Sequence, residues 1–320
     1  MKIVTVTGCA GFIGGAFTER LLSLGYYVHG IDSLTRVADK TFMWGLKRRY
    51  PKHFNIIVDN IVTIEEIPDC DILFNFAAES DVDSSNNNSR DFIQTNIAGV
   101  ENLLALTRKR ATIKVDPPIF IQISTDEVYG NHTSATPYNE TQRLKPCNPY
   151  AASKAGADLL IESWDATHGL DYKIIRPSNT YGLRQFPEKL IPLVVKNLCR
   201  DKKINLHNMG LPVRTWTHAQ DVIDGILLAT TKGVNKETYN ISSNEERTNE
   251  EMVKVIIDLY YLGINLDYSK YINYRYDRPG QDMHYSICSD KIRQLGWKPQ
   301  HKLAISLMDV VAHYKENVKW

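Results

Sequence analysis

KIVTVTGCAGFIG, residues 2–14, is the stretch whose reading decides the fold. Residues 2–7 form an apolar, β-prone run that reads as a buried strand. Gly8, Gly11 and Gly14 follow at every third position, and Phe17, Leu21, Leu22 and Leu24 then recur at helical spacing until Gly25. Tyr27–Ile31 reads as a second strand ending at Asp32. A strand, a glycine turn, a helix and a strand make a βαβ unit. The turn, Gly8, Gly11, Phe12, Ile13 and Gly14, lets the backbone approach a pyrophosphate seated on the helix N-terminus. Asp32, about 20 residues on, is placed to bond an adenosine ribose. An acid there favours NAD over NADP, with Arg36 as the residue that argues the other way.

Strands are expected next at Phe54–Val58, 71–77, Ile119–Ile123 and 172–176, with a helix from about Ser89 to Lys109. Asp59 and Asn60 end the third strand, where an adenine would lie, and Ala77 and Ala78 end the fourth, small enough for a cofactor ring to pack closely. The Asn/Ser-rich stretch 84–89 reads as a loop, and Thr95-Asn96 as facing inward. Six strands alternating with helices predict an α/β fold, a Rossmann-type doubly wound parallel sheet. Beyond residue 177 the rhythm changes to short helices near 187–199 and 221–230, a short strand at Glu237–Ile241, a Thr248/Glu251 capping box and a last helix carrying Ile305, Val310, Val311 and Tyr314. We therefore expect an NAD-binding domain over residues 1–177 and a smaller mixed α/β substrate-binding lobe over residues 178–320, with interleaved segments.

Four proton-moving groups bracket the fifth strand and the helix after it: Asp126 and Glu127, then Tyr150 and Lys154. Ser124, Thr125, Asp126 and Glu127 fall at a strand's carboxyl end, where open parallel sheets place their chemistry. Asn148 caps a helix and Pro149 suits its first position, so Tyr150 and Lys154, spaced i and i+4, share one helix face. Of the 17 tyrosines only Tyr150 has a lysine four positions on. A nearby ammonium is expected to lower the phenol's pKa and make it a base for a sugar hydroxyl.

With 320 residues, 43% hydrophobic and 23% charged, the chain has ample material for a large core. A net charge of +1 argues against a general nucleic-acid or membrane-surface binder, and the basic runs 47–49 and 108–110 read as solvated helix faces. Cys9, Cys70, Cys147, Cys199 and Cys288 show no metal-ligand spacing, so we expect neither disulfides nor zinc, and a reducing, cytoplasmic setting. No signal peptide or membrane-spanning run is expected.

The motifs VTGCAGFIG (6–14), FAAES with VD (76–83), STDEVYG (124–130) and NPYAASKAGAD (148–158) resemble the extended short-chain dehydrogenase/reductases. So do RPSNTYG (176–182), QFPEKLIP (185–192), YNISSNEE (239–246), DRPGQD (277–282) and LGWKP (295–299). Within that group they resemble the nucleoside-diphosphate-glucose 4,6-dehydratases, over essentially the whole chain. The resemblance implies tightly retained NAD, a homodimer and a deoxysugar product. It also implies Thr125, Asp126, Glu127, Tyr150 and Lys154 as catalytic groups, with Ser124, Tyr150 and Lys154 also on the cofactor side. Ser80, Asn96, Asn179, Glu188, Lys189, Arg214, Asn249 and Arg278 match positions that the family uses around its substrate.

Removing water across C5 and C6 of a hexose needs a base and an acid, and two adjacent carboxyls in different environments divide those roles. Asp126 beside Glu127 therefore weighs against a UDP-sugar 4-epimerase or decarboxylase of the same fold. Intact Tyr150 and Lys154 weigh against a non-catalytic NAD-binding scaffold. Asp81, Leu183, Thr215 and Gln281 depart from the family pattern, Cys9 replaces a common glycine, and 204–210 lacks the usual Tyr-Gly-Asp-Gly. These departures bear on the base: dTDP-glucose is expected first and UDP-glucose next.

Overall fold

The computed structural model of the chain describes residues 2–111, 117–263, 266–274 and 280–317. The first half runs β1 (Ile3–Thr7), α1 (Phe12–Ser23), β2 (Tyr27–Asp32), α2 (Lys40–Arg49), β3 (Phe54–Val58), β4 (Ile72–Asn75), α3 (Val82–Asn87), α4 (Ser89–Ile93), a π-turn (Gln94–Ala98) and α5 (Gly99–Ala111). It continues as β5 (Ile119–Ile123), α6 (Pro149–His168), β6 (Tyr172–Pro177), β7 (Asn179–Tyr181), α7 (Leu190–Leu198), β8 (Ile204–Leu206), β9 (Val213–His218) and α8 (Ala219–Lys232). The chain closes with β10 (Glu237–Ile241), β11 (Glu246–Thr248), α9 (Asn249–Tyr261), β12 (Ile272–Tyr274), α10 (Asp290–Gln294) and α11 (Leu303–Glu316).

The central sheet is parallel throughout, in the order β10-β6-β5-β4-β1-β2-β3. Successive residues of its strands serve opposite layers, as a sheet buried on both faces requires. Phe74, Ile121 and Ile175 join the core under α1 and α8, whereas Leu73, Phe120 and Ile174 join the core under α5 and α6. The seventh strand, β10, and α8 both come from beyond residue 177, so the chain leaves the sheet at β6, builds β7–β9, and returns. A separate core of α7, α9 and α11 residues, among them Val194, Ile256 and Val310, carries the smaller lobe.

Several expectations change. Residues 84–87 are helical rather than loop, because Asp81 caps α3 through Ser84 N–H (3.0 Å) and Ser85 Oγ bonds back to Val82 O (2.7 Å). The helix expected from Ser89 to Lys109 is interrupted by the π-turn, at which Asn96 is buried. β4 is shorter than 71–77, and α7 starts only at Leu190, with Lys189 extended (φ −84°, ψ 151°). Leu24 and Ile305, counted on apolar faces, are exposed. The Thr248/Glu251 capping box forms as read. No helix among the described residues is long and apolar enough to cross a membrane.

Candidate active site

Two clefts open along the carboxyl edge of the sheet. The smaller, about 130 Å³, is lined by Gly8, Gly11, Asp32, Asp59, Asn60, Ala77 and Ala78 among others. Gly8 has φ +68°, and a Cβ there would lie 2.8 Å from Ala77 N, so only glycine lets the turn meet the end of β4. Gly14 acts by packing: a Cβ there would stand 2.2 Å from Gly8 O. Helix α1 starts at Gly11 with no side-chain cap, leaving its first N–H groups for an anion. Phe12, Ile13 and Gly14 stand in that first turn. Asp32 accepts from Ala10 N (2.9 Å) and Leu34 N (2.8 Å), tying the turn to β2. Arg36, which kept a 2′-phosphate in question, gives its guanidinium to Glu188 (2.9 Å). The uncapped helix start, the close-packed glycines, the acid and the two alanines fit NAD.

The larger cleft, about 420 Å³, is lined by Ser80, Asp81, Glu127, Asn148, Asn179, Glu188, Lys189, Arg214, Asn249 and Tyr285 among others. Asn179 Oδ1, His207 Nδ1 and Trp216 Nε1, in residues lining it, are buried with no hydrogen-bond partner among the described residues, which suits a cleft that receives a polar ligand. The Arg214 guanidinium lies 4.2 Å from the Tyr285 ring centroid and donates to Asp282 O (2.9 Å). Lys189 Nζ reaches Ser80 O (2.6 Å), holding this rim against the end of β4. Asn96 is corrected: buried 1% exposed, it exchanges hydrogen bonds with the Glu79 backbone (2.9 and 3.0 Å) and donates to Ser153 Oγ (2.8 Å), so it braces the site without facing the cleft. Arg278 lies outside the described residues. Of the departures, Asp81 caps α3, Thr215 is buried, Leu183 is exposed, Gln281 lines the cleft, and Cys9 packs beside Gly30 with its thiol pushed up by burial.

The expected catalytic groups gather beside the larger cleft: Glu127 lines it, and Tyr150 stands near Thr125, Asp126 and Glu127. A 3₁₀ turn over Asp126–Tyr129 follows β5, and Thr125 Oγ1 accepts from Glu127 N (3.3 Å). Asp126 is 3% exposed, and its Oδ2 has no hydrogen-bond partner among the described residues. Burial first, then the Glu127 charge, pushes its carboxyl up to about 7. Glu127 faces the larger cleft, accepts from Asn148 Nδ2 (3.3 Å) and stands 3.3 Å from Tyr285 OH, whose hydrogen has a closer acceptor in Asp282 Oδ2 (2.6 Å). Two adjacent carboxyls thus occupy unlike surroundings, one buried with its pKa raised, the other lining the cleft and hydrogen-bonded.

Helix α6 is bolted in place at its start. Asn148 Oδ1 caps Ala151 N (2.8 Å), Pro149 opens the first turn, and Ser85 Oγ accepts from Tyr150 N (3.2 Å). Lys154 Nζ donates to Ile123 O (2.6 Å). The expectation that Lys154 lowers the Tyr150 pKa is not met in the protein alone. Burial, followed by the Glu127 charge, drives the phenol well above its ordinary range, and a hydrogen bond with Thr125 opposes this only in part. Burial also brings Lys154 down to about 8. Ser124 turns its hydroxyl away from the cofactor cleft, to Asp158 (2.9 Å).

Sequence reasoning missed Tyr285, Asp282 and Ser85. Tyr285 is 158 positions from Glu127, and no local spacing joins them. Its one sequence signal was the tyrosine three residues after the DRPGQD motif.

The family model described as GDP-mannose 4,6 dehydratase matches residues 5–309. The chain is 36% identical over 341 residues to dTDP-glucose 4,6-dehydratase 1 of Escherichia coli (strain K12), covering 100% of this chain and 94% of that protein. It superposes on DesIV, the dTDP-glucose 4,6-dehydratase of Streptomyces venezuelae solved with NAD bound, with a TM-score of 0.91 at 35% identity, covering 100% of this chain and 98% of the other. The dTDP-glucose 4,6-dehydratase of Bacillus anthracis in complex with NAD gives 0.87 at 32% identity, again over 100% and 98%. With the family model matched over residues 5–309 and full-length relatives above 30% identity, the chain belongs to the GDP-mannose 4,6 dehydratase family, among the nucleotide-sugar 4,6-dehydratases of the extended short-chain dehydrogenase/reductases.

Proposed function

We propose that the chain dehydrates dTDP-glucose to the 4-keto-6-deoxy sugar, with NAD as a tightly held cofactor. The observation that carries this reading is the pair of unlike carboxyls, Asp126 buried with its pKa pushed up towards 7, Glu127 open to the substrate cleft. NAD, when bound in the smaller cleft, supplies a hydride acceptor for C4 and the hydride returned to C6. The chain's own groups do the rest. Tyr150 takes the C4 hydroxyl proton as its phenolate, a form that burial disfavours in the protein alone and that the Lys154 ammonium must support, with Thr125 bonding the oxygen that becomes a carbonyl. That carbonyl acidifies the C5 proton, which Glu127 removes while Asp126 protonates the departing C6 hydroxyl. Arg214 and Lys189 supply positive charge for the diphosphate, and Ser80, Asn179, Glu188 and Asn249 line the path of the sugar and nucleotide.

We further read residues 1–177 as the NAD-binding part and 178–320 as the sugar-nucleotide part, with β10 and α8 returned to the first. A homodimer through the α6 side is supported by Leu159 (55% exposed) and Ile93 (50% exposed), and size-exclusion chromatography with light scattering tests it. Five free cysteines suit the reducing cytoplasm.

The test is mass spectrometry of the purified protein with dTDP-glucose, UDP-glucose or UDP-xylose, without added NAD. Product lighter by one water from dTDP-glucose is expected, and deuterium placed at C4 should reappear at C6. Unchanged mass with an inverted C4 would overturn the reading in favour of an epimerase.

A further inference from the structure

Behind the catalytic turn lies a buried charge pair that the proposed reaction does not touch. Asp158 stands one turn beyond Lys154 on α6 and is 0% exposed. It accepts from Ser124 Oγ (2.9 Å) and from Arg176 Nε (3.0 Å). Arg176 also donates to Tyr129 OH (2.9 Å) and lies 4.9 Å from that ring, and Tyr129 OH donates to Asn240 Oδ1 (2.9 Å). The network therefore ties α6 to the end of β5, to the 3₁₀ turn that carries both carboxyls, to β6 and to β10. Burying such a pair costs about as much in lost hydration as its attraction returns, so stability alone gives little reason for charge here.

Its geometry gives a reason. Lys154 and Asp158 share a helix face at i and i+4, and the Lys154 ammonium donates to a neutral carbonyl, Ile123 O (2.6 Å). We infer that Asp158 is a positioning residue for the Tyr150–Lys154 pair: its carboxylate, held by Arg176 and Ser124, is the counter-charge of the Lys154 ammonium. Burial draws Lys154 down to about 8, and Asp158 is what resists that pull. Other charged or titratable groups around the pair are Arg176 on β6, Tyr129 and Glu127 on the turn, Asp126 deeper in the same turn, and Glu162 and Tyr150 on α6. Removing the Asp158 charge therefore lowers the Lys154 pKa further. The inference rests on the role for Lys154 proposed above, and Arg176 and Tyr129 act through Asp158.

The experiment compares wild type, Asp158→Asn and Asp158→Glu as full-length proteins. It measures NAD affinity by calorimetry, and kcat on dTDP-glucose, from about pH 6 to about pH 9.5. For Asp158→Asn the alkaline limb of both profiles should move down by roughly one pH unit or more, the size of a lost neighbouring charge. Near pH 6 its values should stay within about threefold of wild type, and Asp158→Glu should restore the limb. Should Asp158→Asn fail to fold, with Arg176 left unpaired, the double variant Asp158→Asn, Arg176→Met removes both charges and reads the same limb. A uniform loss at every pH, with the limb unmoved, would overturn the inference. The NAD-affinity limb decides it even where the dTDP-glucose assay yields no product, so the two readings fail separately.

Discussion

The cofactor cleft is assembled largely from backbone and from neighbouring strand ends, whereas the sugar-nucleotide cleft is assembled from side chains far apart in the chain. Gly8, Gly11, Asp32, Asp59 and Ala77 sit at the tips of β1 to β4, and the leading contribution is an uncapped helix start. In the larger cleft, Glu127, Asn148, Asn179, Lys189, Arg214, Asn249 and Tyr285 arrive from the 3₁₀ turn, two helices and the short strands of the smaller lobe. The difference has a chemical source. Backbone amides suffice for a dinucleotide's pyrophosphate, but a hexose with several hydroxyls must be oriented by individually placed polar groups.

The largest expected effect lies at the paired carboxyls. Replacing both Asp126→Asn and Glu127→Gln should slow water loss by about 10²–10⁴-fold while NADH absorbance still reports C4 oxidation. Near-normal dehydration would sink the acid–base assignment. On the cofactor side, Gly14→Ala forces a methyl against Gly8 O, at a cost of roughly 1–3 kcal/mol, and bound NAD should be lost on purification. Binding of dTDP, followed by calorimetry, should then persist, which separates the two clefts. Coupled loss of both ligands would break the comparison.

On the sugar-nucleotide side, Arg214→Lys keeps the charge but loses the planar stack on Tyr285 and the bond to Asp282 O. We expect KM to rise about tenfold with NAD content unchanged. The smallest effect concerns stability. The folded Asp126 carboxyl, at about 7, lies above its unfolded value, so its favourable contribution is full below about pH 4 and is lost as pH rises towards 7. Asp126→Asn should remove this loss. Its Tm relative to wild type should rise between about pH 4 and 7 by roughly 2–4 °C and then level off. A difference independent of pH would mean that Asp126 is ionised in the folded chain.

The same contrast governs what could be read in advance. The βαβ opening, the run of six strands, the Thr248/Glu251 box and the helix start at Asn148-Pro149 each depend on residues within a few turns of one another, and each forms. The helix over 82–87 escaped notice because Asn and Ser are poor helix formers. It exists through the Asp81 cap and the packing of Ser85 beneath Tyr150 N–H. Asn96 carried the right residue type for a ligand contact, yet its amide is consumed by Glu79 and Ser153.

By itself, the sequence determined the parallel α/β fold, the glycine turn for a dinucleotide and the placing of two carboxyls and a Tyr/Lys pair at one end of the sheet. All of these are short-range consequences of periodicity, capping and backbone sterics. Only the tertiary structure decided that β10 completes the sheet, that Tyr285 reaches Glu127, that Arg36 is engaged by Glu188, and which carboxyl has its pKa raised. Protonation depends on how completely a group is removed from water and on charges brought near it by distant segments. Neither quantity exists until the chain has folded.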